Sequence, residues 1–174
     1  MRLSEGVEAG LHCATALAQL EADAVLPASA LAGFHGVSPS YLLKHLKALT
    51  HAGILESVSG PSGGYRLARP AGRITLLDVV VAIEGVKPAF RCAEIRQRGP
   101  LKLPASTYLK PCAINAAMLK AERAWRAALA ATSIADIVRE FVVEGDPRAT
   151  AAACAFLAAN RRLQPGERKG RTGS

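Results

Sequence analysis

No stretch of about 18 apolar residues occurs in this chain, so no membrane span is expected. Met1 to Leu20 also lacks a basic start and an unbroken apolar core, because Glu5, Glu8 and His12 interrupt it. That is not a secretory signal pattern, and the expected location is the cytoplasm. In such a reducing compartment the four cysteines are thiols or metal ligands rather than structural disulfides. Catalytic signatures are missing too: there is no nucleophile elbow, no phosphate loop and no Cys-x-x-Cys. Neither an enzyme nor a small-molecule substrate is expected. Internal repeats are absent.

What is present suits a folded regulator. The 174 residues allow one domain, or a small domain with an added element, and half of them are apolar. The net charge of +8 invites a nucleic-acid reading, and its distribution sharpens it. Residues 1–90 are balanced in charge, yet 38–73 carry Lys44, Lys47, Arg66, Arg69 and Arg73 against Glu56 alone. A second basic cluster, Arg161, Arg162, Arg168, Lys169 and Arg171, closes the chain.

Residues 5–20 read as a helix with Leu11, Cys13, Leu17 and Leu20 on its apolar side. Glu8, His12, Thr15 and Gln19 form a polar stripe, read at this level as a solvated face. A short helix around Ser29 to Phe34 then ends near Gly36, where a tight turn needs positive φ. Ser38 is placed as an N-cap and Pro39 at the first helical position, opening a helix to about His51. Its inward face is Leu42, Leu46 and Leu49; its outward face is Ser40, Lys44, Lys47 and His51. Two helices joined by a Gly-containing turn, the second basic outside, make a helix-turn-helix. An amphipathic helical hairpin with merely solvated charges would share that pattern.

The next segment favours DNA. Ile54 to Val58 alternates as a strand does, Gly60-Pro-Ser-Gly-Gly64 is a turn, and Tyr65 to Ala68 is a second strand. A basic hairpin after a recognition helix is a wing, which lies on phosphates or in the minor groove. Thr75 to Asp78 is a capping box opening a helix through Ile83. Residues 86–111 form a proline-rich loop with Cys92 near its start, and Cys112 follows it. An Ala-rich helix over 112–131 carries Ile114, Met118, Trp125 and Leu129. Another capping box, Ser133 to Asp136, leads a shorter helix. The long helix has more apolar surface than one winged domain needs, so it is assigned to a homodimer interface.

The expected fold is therefore mostly α with a small β wing: a winged helix-turn-helix domain plus a long dimerisation helix. Its parts are a DNA-binding domain over 1–85, a cofactor or sensor loop over 86–111, dimerisation helices over 112–143, an extra helix over 144–160 and a disordered basic tail over 161–174. Cys154 is expected to pack as a small apolar residue in the extra helix. Base reading is assigned to Ser40, Tyr41, Lys44 and His45. Phosphate contact is assigned to Ser38, Lys47, Arg66 and Arg69. The expected partner is a double-stranded DNA operator.

Four segments resemble one family: Met1 to Glu8, Gly36 to Leu42 (GVSPSYL), Gly60 to Ala68 (GPSGGYRLA) and Ile74 to Val80 (ITLLDVV). They are similar to the Rrf-two family of bacterial winged-helix regulators, over about residues 1–143. The resemblance implies a homodimer, joined through the long helix, that reads a pseudo-palindromic operator, as a repressor. Many members hold an iron–sulfur cluster on three loop cysteines, whereas this loop offers only Cys92 and Cys112. The chain thus resembles a two-cysteine subgroup in which a Glu and a His of the first helix complete a [2Fe–2S] cluster. Those positions correspond to Glu8 and His12, and operator binding would follow the presence or redox state of the cluster. Zinc suits the same ligand set. A cofactor-free thiol switch on Cys92 and Cys112 is the remaining regulator, and a dithiol oxidoreductase the weakest alternative.

Overall fold

A computed structural model describes residues 3–100 and 103–164. The described elements run α1 (Glu5–Leu17), β1 (Ala24–Val25), α2 (Ala28–His35), α3 (Pro39–His51), β2 (Leu55–Val58), β3 (Gly64–Leu67) and α4 (Leu76–Glu84). After the long loop come α5 (Ala113–Ala130), α6 (Ile134–Glu144), α7 (Pro147–Asn160) and β4 (Arg162–Leu163). No described helix is long and apolar enough to cross a membrane.

Local chemistry explains the helix-turn-helix. Gly36 ends α2 at φ 65°, a left-handed conformation that carries little cost only without a Cβ. Two residues later the Ser38 hydroxyl accepts the Tyr41 backbone N–H, and Pro39 fills the first helical position of α3. Leu42, Leu46 and Leu49 turn one face of α3 fully inward against Leu31, Ile54, Val79 and Ile134. Each such side chain contributes about 1.5–3 kcal/mol by leaving water. Helix α1 comes very close to this core because its facing residues are small. A Cβ on Gly6 would stand 2.2 Å from His45 Cε1, and one on Gly10 would stand 2.6 Å from Ile83 Cδ1.

The wing pairs β2 with β3 antiparallel, Leu55 opposite Leu67 and Val58 opposite Gly64. It is larger than the expected hairpin. Leu26 bridges to Tyr65, and β1 pairs with β4, so the chain's last described strand joins the same side of the molecule. The tail was expected to begin at 161, but Arg161 to Gln164 run beside β1 instead, because unpaired β1 backbone groups accept a partner there. Arg168, Lys169 and Arg171 lie outside the described residues. The extra helix α7 is no appendage: Leu157 is buried in the core, and Phe156 meets Phe34 at 4.9 Å between ring centroids. Cys154 points the other way and is exposed, which corrects its expected packing. Cys13 is fully buried as expected.

Both capping boxes form. Thr75 and Asp78 exchange side-chain and backbone hydrogen bonds, as do Ser133 and Asp136. The two N-termini also bridge each other directly between Thr75 and Ser133. This clasp fixes α6 against the winged unit. Helix α5 then projects along α4, with Trp125 and Leu129 half-buried and no residue of its 18 fully buried.

Candidate DNA interface and ligand sites

Helix α3 exposes Ser40, Tyr41, Lys44 and Lys47 together. The Ser38 hydroxyl is bound to the Tyr41 N–H at 3.3 Å and lies 3.4 Å from the Ser40 hydroxyl, so all three sit at the helix N-terminus, where a phosphate is favoured. His45 does not join them. It is buried against Gly6 of α1 and meets the Tyr41 ring edge-on at 4.7 Å, which removes it from the base-reading face. Its Nε2 has no hydrogen-bond partner, and burial, then the Lys44 charge, lowers its pKa below 6.5. A signal for this was present: position 45 falls between Leu42 and Leu49 on the inward arc, three and four residues from them.

In the wing, Arg66 forms a forked ion pair with Glu56 at 2.9 and 3.1 Å, directly across the strand pair. That pairing holds Glu56 below its usual carboxylate range. Arg69 pairs with Asp78 at 3.2 Å. Both arginines thus have carboxylate partners inside the protein, and any phosphate would compete for them.

Glu8 and His12 are exposed on one side of α1. They line a cavity of about 320 Å³ with Glu5, Ala9, His35, Val37 and Tyr41. His12 and His35 rings stand 5.5 Å apart. His35 is the last residue of α2, so the α1 pair faces the turn that launches the recognition helix. Burial, followed by the proximity of His12, lowers the His35 pKa.

The cysteines form a second grouping. Cys112 caps the N-terminus of α5, and the Asn115 and Ile114 N–H groups, followed by the Arg96 charge, lower its thiol pKa. Arg96 is the feature that sequence reasoning missed. Its charge senses both Cys112 and Cys92, it pairs with Glu94, and it stacks 5.4 Å over Tyr108. Glu94 sits at φ 46°, the sole non-glycine with positive φ among the described residues. The start of this loop is tied down separately. Glu122 accepts the Ala89 N–H at 2.9 Å, while Arg126 pairs with Glu122 and donates to the Val86 carbonyl. Among the described residues, no three His, Cys, Asp or Glu side chains converge to hold a metal within one chain. The four expected ligands are therefore not gathered within one chain: Glu8 and His12 line the α1 cavity, while Cys92 lies in the long loop with Arg96 and Cys112 at the start of α5.

Residues 3–140 match the Rrf2 family, described as an Iron-dependent Transcriptional regulator. Protein aau3 of Rhizobium meliloti is 40% identical over 63% of this chain and 67% of its own length. YffB of Lactococcus lactis, assigned only provisionally to the HTH-type transcriptional regulators, is 34% identical over 80% of this chain and 88% of its own. The HTH-type transcriptional regulator IscR of Xenorhabdus nematophila is 39% identical over 38% of this chain and 41% of its own. Among solved structures, T. potens IscR superposes with a TM-score of 0.61 at 23% identity, covering 80% of this chain and 88% of that one. CymR of B. subtilis gives 0.61 at 22%, covering 80% and 97%. Those two likenesses establish the winged fold. The family match spans the helix-turn-helix, the wing, the cysteine loop and α5, and the chain belongs to the Rrf2 family of transcriptional regulators rather than to any family of enzymes.

Proposed function

We propose that this regulator is a homodimeric, operator-binding repressor whose DNA affinity is set by a [2Fe–2S] cluster. Cys92 and Cys112 of one protomer and Glu8 and His12 of its partner would hold it. The observation that carries this reading is the placement of Glu8 and His12 on the wall of a cavity shared with His35 and Tyr41 of the helix-turn-helix. A change at that pair bears directly on α3. The donor set suits the group: thiolate and imidazole are cluster ligands, and the Cys112 thiol is already biased toward thiolate. When bound, such a cluster supplies a one-electron change in charge. The protein's own part is mechanical. Glu8 and His12 fix α1, the His12–His35 contact passes its position to the Gly36 turn, and Ser38 with Pro39 sets the direction of α3. Two redox states need only favour different dimer geometries.

Dimerisation is supported by α5 and α6, where Ile114 is 67% exposed, Met118 43% and Val143 75%. Apolar side chains grouped so openly on one arm favour a second copy. A second reading keeps the dimer and the operator but uses Cys92 and Cys112 as a cofactor-free thiol switch, or zinc on the same four ligands. The Asn115 and Ile114 N–H groups, and then the Arg96 charge, lower the Cys112 thiol pKa, which supports it.

Anaerobic reconstitution separates these readings. Visible absorbance and iron should collapse in Cys92→Ala and Cys112→Ala and fall or shift in His12→Ala, while Cys13→Ala stays normal. A wild type that never takes up iron, or a normal cluster in Cys112→Ala, ends the cluster reading and leaves the thiol switch or zinc. DNA recognition is tested with a duplex selected from genomic fragments. Lys44→Ala should weaken binding and lower the log–log salt slope by about one unit. Unchanged binding in the Lys44→Ala, Ser40→Ala double variant would remove α3 from the interface.

A further inference from the structure

The family match ends at residue 140, yet the chain beyond it builds one wall of a groove and then reaches the wing. Helices α2 and α7 border a space of about 510 Å³, within the roughly 300–1,000 Å³ typical of small-molecule sites. Ser29 and Gly33 line it from α2, four residues apart on one face, and Phe156 and Asn160 line it from α7 with the same spacing. Arg161 and Arg162 close the end where α7 gives way to β4. Both charged side chains of this lining are cations, set beside a hydroxyl, a carboxamide and an aromatic ring. The groove shares no lining residue with the α1 cavity of Glu8 and His12.

Two features point to an occupant. Gly33 lies inside α2, where glycine is less stable than alanine. A Cβ there would have no neighbour within 4 Å, so the chain's own packing does not demand glycine, and the bare backbone is open to close approach from the groove. Arg162 is the second feature, because it serves two places. From the groove wall its Nη1 donates to the carbonyls of Pro61 at 2.8 Å and Gly63 at 3.1 Å, while Gln164 Nε2 donates to the Ser62 carbonyl between them at 2.8 Å. One guanidinium thus lines the groove and braces the wing tip. A carboxylate is a charged, two-oxygen acceptor, and it competes well for that guanidinium against single neutral carbonyls.

We propose that the groove between α2 and α7 binds a small organic anion, a carboxylate on a short apolar body. Arg161 and Arg162 take the charge, and Phe156 and the bare backbone of Gly33 take the body. Occupancy draws Arg162 from the tip carbonyls, loosens the wing and weakens DNA binding. The site stands by itself, and its coupling to DNA rests on the operator-binding reading above.

The test titrates full-length protein with hydrocinnamate, a carboxylate on a phenyl body, and with its neutral amide, following backbone amide signals by NMR. Hydrocinnamate should shift Ser29, Gly33 and Asn160 saturably. The amide should bind at least roughly ten-fold more weakly, the usual cost of losing a hydrogen bond to a charged group. Gly33→Leu, whose side chain fills the groove, should keep its melting temperature and lose those shifts. Saturating hydrocinnamate should weaken wild-type binding to the selected duplex several-fold, speed amide exchange at Gly63 and Gly64, and leave Gly33→Leu unaffected. No saturable shift, equal binding of the amide, or shifts retained in a folded Gly33→Leu overturns the site. If Gly33→Leu does not fold, Ser29→Glu decides in its stead, since a second carboxylate repels the probe. Shifts without a change in exchange at Gly63 and Gly64 overturn the coupling. Protein that takes up the probe yet binds no DNA brings down the regulator reading instead, and exchange at the tip still decides the coupling.

Discussion

At His45 burial has taken a titratable ring out of the recognition surface, and a pH dependence follows. Its folded pKa lies below 6.5, chiefly through burial and secondarily through Lys44. The unfolded chain therefore binds the proton more readily. The neutral ring's contribution to stability is present above about 6.5 and is lost as pH falls toward the lowered folded value. Urea midpoints measured from pH 7.5 to 5.5 should fall more steeply for wild type than for His45→Gln. Gly6 belongs to the same contact, since any Cβ there meets the imidazole at 2.2 Å. Gly6→Ala should destabilise by about 1–3 kcal/mol, the usual cost of overpacking, read as a lower melting temperature. Cys13 gives a third residue-level expectation. Burial pushes its thiol up to about 12, leaving on the order of one molecule in ten thousand as thiolate at pH 8. Iodoacetamide at that pH should label the exposed Cys92 and Cys154 while leaving Cys13 intact until the protein unfolds.

Among elements, those written in local chemistry were legible before the structure. Gly36, Ser38 and Pro39 announce the turn into α3, and Thr75 with Asp78 and Ser133 with Asp136 announce two helix starts, because each signal acts within four residues. Thr75→Ala removes the acceptor for the Asp78 N–H and should cost about 1 kcal/mol in denaturant unfolding. The second box is acid-sensitive: hydrogen bonds from Ser133 and then Arg139 hold the Asp136 carboxyl down to about 2. Its support is complete above the ordinary aspartate pKa of 3.8 and disappears as pH falls toward 2. What could not be read was non-local. Strand β1 is two residues long and has no pattern of its own; only β4, far along the chain, makes it a strand. Arg162 reads in sequence as one more tail cation, since its carbonyl partners at Pro61 and Gly63 are a property of the folded wing. The candidate ligand set divides likewise. The i, i+4 spacing of Glu8 and His12 is visible in the sequence, but their shared cavity with His35 is tertiary.

The molecule as a whole presents one open arm, α5 with the end of α6, beside a closed winged body. If that arm joins two protomers, Met118→Lys should shift sedimentation from dimer to monomer, since a charge at a covered apolar position lacks a partner. A variant that remains dimeric would move the interface off α5. The union of β1 with β4 carries a further consequence, for synthesis. The wing hairpin is complete once Leu67 has been translated, but Arg162 comes roughly 95 residues later, or about 5–20 s at the usual 5–20 residues per second. Through that interval the nascent chain carries a wing whose tip has no brace and a β1 edge with no neighbour. Ribosome-bound fragments ending before Arg162 should therefore be the species that proteases nick at Ser62 and that chaperones hold, and release of Arg162 to Gln164 should end that vulnerability.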